Sequence, residues 1–424
     1  MQVAVNLQRA GHDVTLIEAA PHLGGLADAW TVGEISWDRH YHVILMSDLR
    51  TRLLLAELNL EDQLIWAETK TGFYTDGTLY SMSNTPEFLK FPPLRLIDKL
   101  RLGGTIFYAS KIKNWRRLEK IPVVDWLRKW SGNRTTERVW LPLLRAKLGE
   151  NYKYASAAFI WAIIARMYAA RRTGLKKEMF GYVRCGYGRV LEAFEKKLRA
   201  SGVSVQTGCP VCLIRPCVDG TFVVVRVDGE CDEYDHVVMT TPASIIPHFA
   251  PSLSESERTQ LSRIRYQGIV CASVVLKKAL GPYYVTNITD SWVPFTAVIE
   301  MTALVKPEEF GRKHLVYLPK YVDPNDPLFE TPDEEIRESF LTALEKMYSL
   351  FHRDDVLAFK LSRVRNVLAI STLNYSENLP PIGTSIPGLF IATSAQIVNG
   401  TLNVNETLTL ADRATVEILA GVKA

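Results

Sequence analysis

The sequence of 424 residues has no segment that resembles a signal peptide. It also lacks a uniformly apolar run of about 20 residues, the length that a membrane-spanning helix needs. The nearest run, AAFIWAIIARMYAARR, is interrupted by Arg166. Internal repeats and low-complexity linkers are missing, as are the patterns G-x-S-x-G, H-E-x-x-H and G-x-x-x-x-G-K-[ST]. The sequence therefore gives little support to a hydrolase, a zinc protease or a P-loop enzyme.

Cysteine is scarce, with six residues in the whole chain. Cys209 and Cys212 form one C-x-x-C pair, but no second pair completes a zinc site. The pair lies in the strand-like run SVQTGCPVCLI, whereas redox pairs stand at the start of a helix. We therefore expect reduced cysteines, no bound metal and a cytoplasmic protein.

A strong net charge is also lacking, since the whole chain carries only +4. This value argues neither for nor against a nucleic-acid partner, and we predict none. The charge is unevenly spread, because residues 95–177 hold 20 Lys and Arg against 5 Asp and Glu. Five tryptophans are interleaved with these basic residues: Trp115, Trp126, Trp130, Trp140 and Trp161. Two interpretations stay open, solvated helix faces or a surface for an anionic ligand or a membrane, with which the protein would associate peripherally.

The N-terminal segment combines a helix, a strand and paired glycines. An apolar helical stripe around Ala4 leads to Gly11, which stands where a helix commonly ends. The run DVTLIE then predicts a buried parallel strand that ends in Glu18. A carboxylate at this strand end can accept hydrogen bonds from the ribose hydroxyls of an adenosine moiety. Gly24 and Gly25 follow, and paired glycines allow the backbone to approach a ligand closely.

Further α/β segments lie in the middle of the chain and at its C-terminal end, with helical and β material between them. This order predicts an α/β protein in which a Rossmann-like domain is assembled from discontinuous segments. We assign residues 1–82, 181–245 and 375–424 to this nucleotide-binding domain. Residues 83–180 and 246–374 would form an α+β substrate domain with a mixed sheet and helices.

Three stretches together resemble the flavin amine oxidase superfamily, which includes protoporphyrinogen oxidase, carotenoid desaturases and, more distantly, UDP-galactopyranose mutase. The first is Glu18 with the paired glycines, an E-x-x-x-x-x-GG that is similar to the family's FAD-binding signature. The second is CGYGRVLEAFEKKLRASGVSVQTGCPVCLI, which resembles a glycine-rich turn, an amphipathic helix and a strand. The third, GLFIATSAQIVNGTLNVNETLTLADRATVEIL, is similar to the strand, loop and helix that close over the flavin.

The resemblance implies FAD as the cofactor and suggests which N-terminal and central residues contact it. Glu18 would hold the ribose, and the backbone at Val211 would lie against the adenine. Gly24, Gly25 and Leu26 would approach the cofactor, although many members place Arg where this chain has Leu26.

The C-terminal stretch departs from the family pattern. The family's strand usually ends in Gly-Asp or Gly-Glu, whose acid meets the ribityl chain or the pyrophosphate. This chain has Ser394, Ala395 and Gln396 there, and Ser and Gln can still hydrogen-bond a flavin tail. Asn405 and Thr407 lie at the start of the closing helix, whose free N–H groups would stabilise negative charge on a reduced flavin.

The sequence does not define a catalytic residue. Lys320, in the run LPKYV, is a candidate for the lysine that some members place near flavin N5. His40 and His42 stand two residues apart, but no further ligands at metal spacing accompany them. We therefore expect structural roles for both histidines.

The resemblance implies an FAD-dependent oxidoreductase that takes a hydride from a small or apolar organic substrate. The hydride would leave a carbon next to nitrogen or an allylic centre. Two alternatives stay open. One is a non-redox flavin enzyme of the sugar mutase kind, and the other is a degenerate family member that acts as a binding module.

One part of the family pattern is not found in the sequence. The strand and the glycine-rich loop G-x-G-x-x-G, which hold a dinucleotide pyrophosphate, would fall immediately before Met1. We expect a truncated chain, with a start codon placed late in the gene, rather than a degenerate protein. The upstream DNA would then encode the loop in frame, and residues 1–424 alone would bind FAD poorly.

Overall fold

The computed structural model describes residues 1–170 and 179–422. Residues 171–178 include the end of the charged region 95–177 and part of the predicted substrate domain, and they lie outside the described residues. The same holds for 423–424, the end of the predicted nucleotide-binding domain.

The α-helices follow one another along the chain as α1 (Gln2–Arg9), α2 (Leu49–Glu57), α3 (Thr85–Lys90), α4 (Leu96–Lys111), α5 (Val123–Ser131), α6 (Asn133–Thr135), α7 (Leu141–Leu148), α8 (Ala157–Ala170), α9 (Gly186–Ala200), α10 (Ile246–Phe249), α11 (Glu255–Arg263), α12 (Asp333–Met347), α13 (Tyr375–Asn378) and α14 (Val404–Val422). None of the helices in this part of the chain is long and apolar enough to cross a membrane.

The strands are β1 (Thr15–Ile17), β2 (Ala29–Val32), β3 (Ile35–Asp38), β4 (Leu64–Glu68), β5 (Thr71–Thr75), β6 (Thr78–Ser81), β7 (Met179–Val183), β8 (Ser204–Gln206), β9 (Val211–Pro216), β10 (Phe222–Arg226), β11 (Cys231–Tyr234), β12 (Val237–Met239), β13 (Tyr266–Leu276), β14 (Val285–Ile288), β15 (Ala297–Glu300), β16 (His314–Val322), β17 (Val356–Ala369) and β18 (Leu389–Ile391).

The largest sheet has seven strands in the order β17-β13-β16-β15-β14-β5-β6. Its neighbours are antiparallel except β14 and β5, which are parallel. The sheet is covered on both faces, so all of β13 is buried. Val270 and its alternate neighbours pack with Phe340 of α12, whereas Ile269 and its neighbours pack with Tyr317 in a second cluster. Burial on both faces explains why β13 reads as an unbroken apolar run.

Two short parallel pairs join segments that are far apart in sequence. They are β1 with β8, and β12 with β18, while β9, β10 and β11 form a separate antiparallel sheet. Together with the large mixed sheet, these pairs confirm the predicted α/β fold built from discontinuous segments.

The run SVQTGCPVCLI is not the single strand that the sequence predicts. It divides into β8 and β9, which belong to different sheets. Gly208 lies between them with φ +70°, a backbone conformation that glycine adopts more readily than other residues. Because apolar residues alternate on both sides of Gly208, the sequence alone indicates one continuous strand.

The segment 71–81 pairs with strands of the predicted substrate domain. β5 and β6 form one edge of the seven-stranded sheet, although the sequence assigns them to the nucleotide-binding domain. β4, just before them, pairs instead with β7. The domain boundaries therefore stay a prediction, and this segment is where the sheet pairing departs from them.

The helices between α4 and α8 enclose a core of their own. Trp126 and Trp161 are buried in it, and Trp115, Trp130 and Trp140 are partly buried against it. The tryptophans that are interleaved with basic residues in the sequence thus pack on a core and do not form the outer surface.

Candidate active site

One cavity of about 1900 Å³ is lined by residues from both predicted domains. Ligand sites for small molecules commonly measure about 300–1,000 Å³, so this volume can hold a dinucleotide together with a substrate. We call its two walls the nucleotide wall and the apolar wall. The nucleotide wall includes Glu18, Gly24, Gly25, Leu26, Val211, Ser394, Asn405 and Thr407. The apolar wall includes Phe73, Phe88, Leu102, Ile106, Val139, Leu143, Ile163, Ile164 and Met167.

Glu18 directly follows β1 and is held there by backbone hydrogen bonds to the neighbouring strand segment. Its N–H donates to the carbonyl of Gln206 at 2.9 Å, and its own carbonyl accepts from the N–H of Cys209 at 2.9 Å. Its side-chain Oε1 accepts from the N–H of Ala20 at 2.9 Å. Because the hydrogen bond described for this carboxylate uses one oxygen, the second can serve a ribose hydroxyl. Val211 lines the same wall.

The paired glycines adopt conformations that other residues rarely reach. Gly24 has φ +129° and Gly25 has φ +56°. A Cβ at Gly24 would lie 2.5 Å from Cδ1 of Leu191 on α9, whereas one at Gly25 would meet nothing within 4 Å. Gly24 thus allows the loop to approach α9. The carbonyl of Leu26 is in turn 3.4 Å from Nδ1 of His40.

The C-terminal loop is brought to the cavity by β18, but only one of its three predicted residues lines it. Ser394 faces the cavity, whereas Ala395 and Gln396 are buried behind it. The Gln396 side chain accepts from the N–H of Thr393 and donates to the carbonyl of Pro380. Gln396 therefore shapes the loop from within and has no described contact with the cavity.

The start of α14 also lines the cavity, as the sequence predicts. Asn403 Oδ1 accepts from the N–H of Glu406 at 3.0 Å, which confirms the expected helix cap. The side-chain Oδ1 of Asn405 accepts from the backbone N–H groups of Arg50 and Thr51 at the start of α2. Asn405 thus ties α2 to α14 and borders the cavity with Thr407.

Lys320 lies on β16 but is not among the cavity-lining residues, while its neighbour Tyr321 is. Alternate side chains of a strand point to opposite faces, and burial lowers the Lys320 pKa. The Tyr321 hydroxyl is 2.9 Å from that of Tyr41. A different lysine, Lys147 of α7, lines the cavity with Nζ 3.7 Å from the Tyr321 ring centroid.

His40 and His42 both line the cavity, and Asp38 stands behind them. The His40 Nε2 is 3.2 Å from the Ser362 hydroxyl, and His42 Nδ1 is 3.8 Å from Asp38 Oδ2. Burial lowers the pKa of each histidine to about 4. Burial also raises the Asp38 pKa to about 8, although the N–H of Tyr187 donates to Oδ1 at 2.7 Å and opposes that shift. At neutral pH the pair is therefore a protonated carboxyl beside a neutral imidazole.

Two arginines on the cavity were not identified from the sequence as site residues. Arg39 is ion-paired with Asp28, and Arg166 is ion-paired with Asp48 at 2.9 Å. Arg166 also donates to the hydroxyl of Thr401 at 3.1 Å. Neither position has a local motif, since each pair joins separate elements. The one available signal was the charge of Arg166 inside an otherwise apolar helix.

The described residues contain no group of three or more His, Cys, Asp or Glu side chains placed to hold a metal ion. The nucleotide wall offers groups that suit a dinucleotide. Glu18 offers a ribose acceptor, the glycines leave open backbone, and α14 presents its N-terminal turn. This combination defines a dinucleotide-dependent enzyme with an apolar substrate pocket.

The chain belongs to the flavin containing amine oxidoreductase family, whose model matches residues 1–418. It is accordingly an FAD-dependent oxidoreductase, and the resemblance noted in the sequence is confirmed. No curated protein matches the chain.

Solved structures share the fold over nearly the whole chain. A putative protoporphyrinogen oxidase from Exiguobacterium sp. 255-15 has 16% identity and a TM-score of 0.77, covering 100% of this chain and 96% of that one. A triple mutant of putrescine oxidase has 14% identity and a TM-score of 0.77, covering 99% and 96%. A fatty acid isomerase from P. acnes that produces CLA has 12% identity and a TM-score of 0.71, covering 98% and 95%. At these identities the likeness concerns the fold.

Proposed function

We propose that the chain binds FAD along the nucleotide wall and oxidises an uncharged or anionic apolar substrate held against the apolar wall. The observation that carries this proposal is that the nucleotide wall and the apolar wall line the same cavity. When bound, the flavin accepts a hydride from the substrate and later passes the electrons to an acceptor. The chain positions the substrate and excludes water from it.

The charges around the cavity disfavour a cationic amine as substrate. The carboxylates that line the cavity in the described residues are Glu18, Asp28 and Asp48. Glu18 is assigned to the ribose, and the other two are already ion-paired. Lys147 lines the cavity on the same helix as Leu143 of the apolar wall, and a carboxylate or another anionic group would suit it.

Tyr41, Tyr321, Lys147 and His42 are the polar residues that we propose to orient the substrate. Each borders the cavity. A neutral His42 can offer a hydrogen bond to the substrate, and Asp38 Oδ2 lies 3.8 Å from its Nδ1. Glu18, Gly24, Gly25, Leu26, Val211, Ser394, Asn405 and Thr407 stay our proposed cofactor contacts. Ala395 and Gln396 would act by shaping the loop, and Lys320 stays a weak catalytic candidate.

The test is a flavin spectrum followed by anaerobic titration with two classes of donor. With FAD supplied in excess, we expect the flavin to be bleached by apolar polyenes or porphyrinogens and not by putrescine. Protein without a flavin spectrum would remove the oxidoreductase and leave a binding module. Bleaching by putrescine alone would overturn the substrate class. Turnover only after prior reduction, with no acceptor consumed, would point to the sugar mutase alternative.

A further inference from the structure

The helix α4 is apolar on two of its faces. Leu102 and Ala109 are buried, and Leu102 lines the cavity together with Ile106. The outer side nevertheless carries large apolar residues that are 40–63% exposed: Leu96, Ile97, Leu100, Phe107 and Tyr108. Leu89 of α3 is exposed beside them in sequence, and Lys99 Nζ donates to its carbonyl at 2.7 Å. We call these six exposed residues the α3–α4 patch.

A helix that is apolar nearly all round is normally covered on every side. Contiguous exposed apolar residues on a protein surface commonly mark an interaction site. The α3–α4 patch contains six of the exposed large apolar residues of the described chain, within twenty residues of sequence. Something outside the chain is therefore expected to cover it.

The charge around the patch is of one sign. Residues 88–117 contain eight Lys and Arg and a single acid, Asp98. Asp98 is buried at the start of α4 and ion-paired with Arg134. Basic groups also lie over aromatic rings here, with Lys111 over Phe107 and Arg116 over Trp115. A second copy of the same surface would bring like charges together, which disfavours a symmetric dimer through this patch.

The patch and the cavity share the same helices. Gly103 of α4 and Thr85 of α3 are exposed and also line the cavity. The cavity and the patch therefore lie on the same two helices, with α4 between them.

We propose that the α3–α4 patch docks on an anionic lipid surface, and that apolar substrate enters the cavity from that surface. The apolar side chains would lie at the level of the acyl chains and the basic residues at the phosphates. Entry from lipid rests on the proposed function, whereas docking does not. The proposed docking surface includes only the first part of the charged region 95–177, together with α3, which lies before that region. Its apolar contacts come from the six residues of the α3–α4 patch and not from the tryptophans.

The experiment is flotation of the full flavin-loaded chain with vesicles at low salt. One set contains phosphatidylcholine and phosphatidylglycerol, and the other contains phosphatidylcholine alone. We expect the chain to float with the anionic set, to float less with the neutral set, and to be released by added salt. No flotation with the anionic set would overturn the proposal.

The variant Leu96→Gln/Leu100→Gln tests the patch itself. It should reduce flotation by roughly tenfold or more, because two exposed apolar anchors are lost. The matched control is Leu350→Gln/Val416→Gln, which alters two exposed apolar residues outside the patch. Equal flotation of both variants would overturn the assignment to α4. If the chain does not float but forms dimers in solution that the patch variant disrupts, the lipid proposal is overturned and a second copy of the chain is the occupant of the patch.

Flavin content, measured on the same samples, separates the two proposals. Protein that contains no flavin, but whose flotation is reduced by the α4 variant, would support docking and contradict the proposed oxidoreductase site. Protein that holds flavin and never floats would contradict docking alone.

Discussion

Glu18 is a single carboxylate placed by strand geometry, and its removal should act on cofactor binding directly. We expect Glu18→Ala to weaken FAD binding about ten- to a hundred-fold, since a hydrogen bond to a charged group contributes roughly 1.5–3 kcal/mol. Flavin fluorescence titration measures the dissociation constant. Glu192→Ala, at an exposed position on α9, is the control and should bind as the parent does. An unchanged constant for Glu18→Ala would show that another group holds the ribose.

Asp38 should make stability depend on pH. Its pKa rises from 3.8 to about 8 on folding, so over this interval the folded chain keeps a proton that the unfolded chain has lost. Stability should therefore fall as pH rises towards 8. Burial of Glu300, whose pKa is raised to about 7, acts in the same direction. His40 and His42 act in the opposite direction but only below their ordinary pKa of 6.5.

The measurement is urea unfolding of parent and variant at two pH values between 6.5 and 8, since the histidines titrate alike in both proteins and cancel in the comparison. We expect Asp38→Asn to lose less stability over this interval than the parent. The Asn side chain can still accept from the N–H of Tyr187 through its carbonyl oxygen. Asp354→Asn, at an exposed position, should keep the parental slope. If the free energy of unfolding changes equally with pH in the parent and in Asp38→Asn, the Asp38 carboxyl is not protonated in the folded chain.

The sequence predicts a site residue where that residue directly adjoins a recognisable strand or helix. Glu18 and the paired glycines follow β1 directly, and Asn405 and Thr407 follow from the start of α14. Arg166 and Lys147 were not predicted as cavity residues, because their partners Asp48 and Tyr321 come from elements far away in sequence. Only the folded chain brings those charges and rings together.

At the scale of elements, Gly24 decides whether the loop after β1 can pack on α9. We expect Gly24→Ala to lower the free energy of unfolding by about 1–3 kcal/mol, the cost of a strained backbone conformation. The clash with Leu191, 2.5 Å away, adds to that loss. Chemical denaturation measures the change.

The control for this change is Gly11→Ala. Gly11 also has positive φ, but a Cβ there would meet nothing within 4 Å. The loss should be smaller than at Gly24. Adding Leu191→Ala to Gly24→Ala should relieve the clash without removing the backbone strain. If the double variant regained the whole free energy of unfolding, backbone strain would not be a cause of the loss.

Elements with a clean apolar pattern were predictable, and those with mixed composition were not. β13 and β16 lie in the apolar, β-branched runs GIVCASVVLKK and HLVYLPKYV, and α12 begins directly after Pro332. β17 was not identified, although it is the longest strand described, because charged residues interrupt LAFKLSRVRNVLA. It is an edge strand of the large sheet, where one side of the pattern can be polar.

For the whole molecule, a ligand that spans the cavity should stabilise the chain more than one that fills part of it. We expect FAD to raise the melting temperature more than ADP does, because ADP offers contacts to the nucleotide wall alone. A ligand at a hundred times its dissociation constant adds about 2.7 kcal/mol. Differential scanning fluorimetry measures both shifts. Glu18→Ala should reduce both shifts, and an equal shift for the two ligands would show that the flavin part of FAD adds no stabilising contact.

The pairing of α1 with α14 has a consequence for synthesis. Val3 and Leu7 pack with Ala414 and Ile418, and the Asn6 amide donates to Asp412 at 3.1 Å. Thus α1 finds this neighbour only after all of the residues between α1 and α14 have been made. Until then its apolar side is open to solvent and to chaperones, and contacts of such long sequence separation form slowly. Cofactor capture is therefore expected to be a late, post-translational event, limited by the arrival of the last helix.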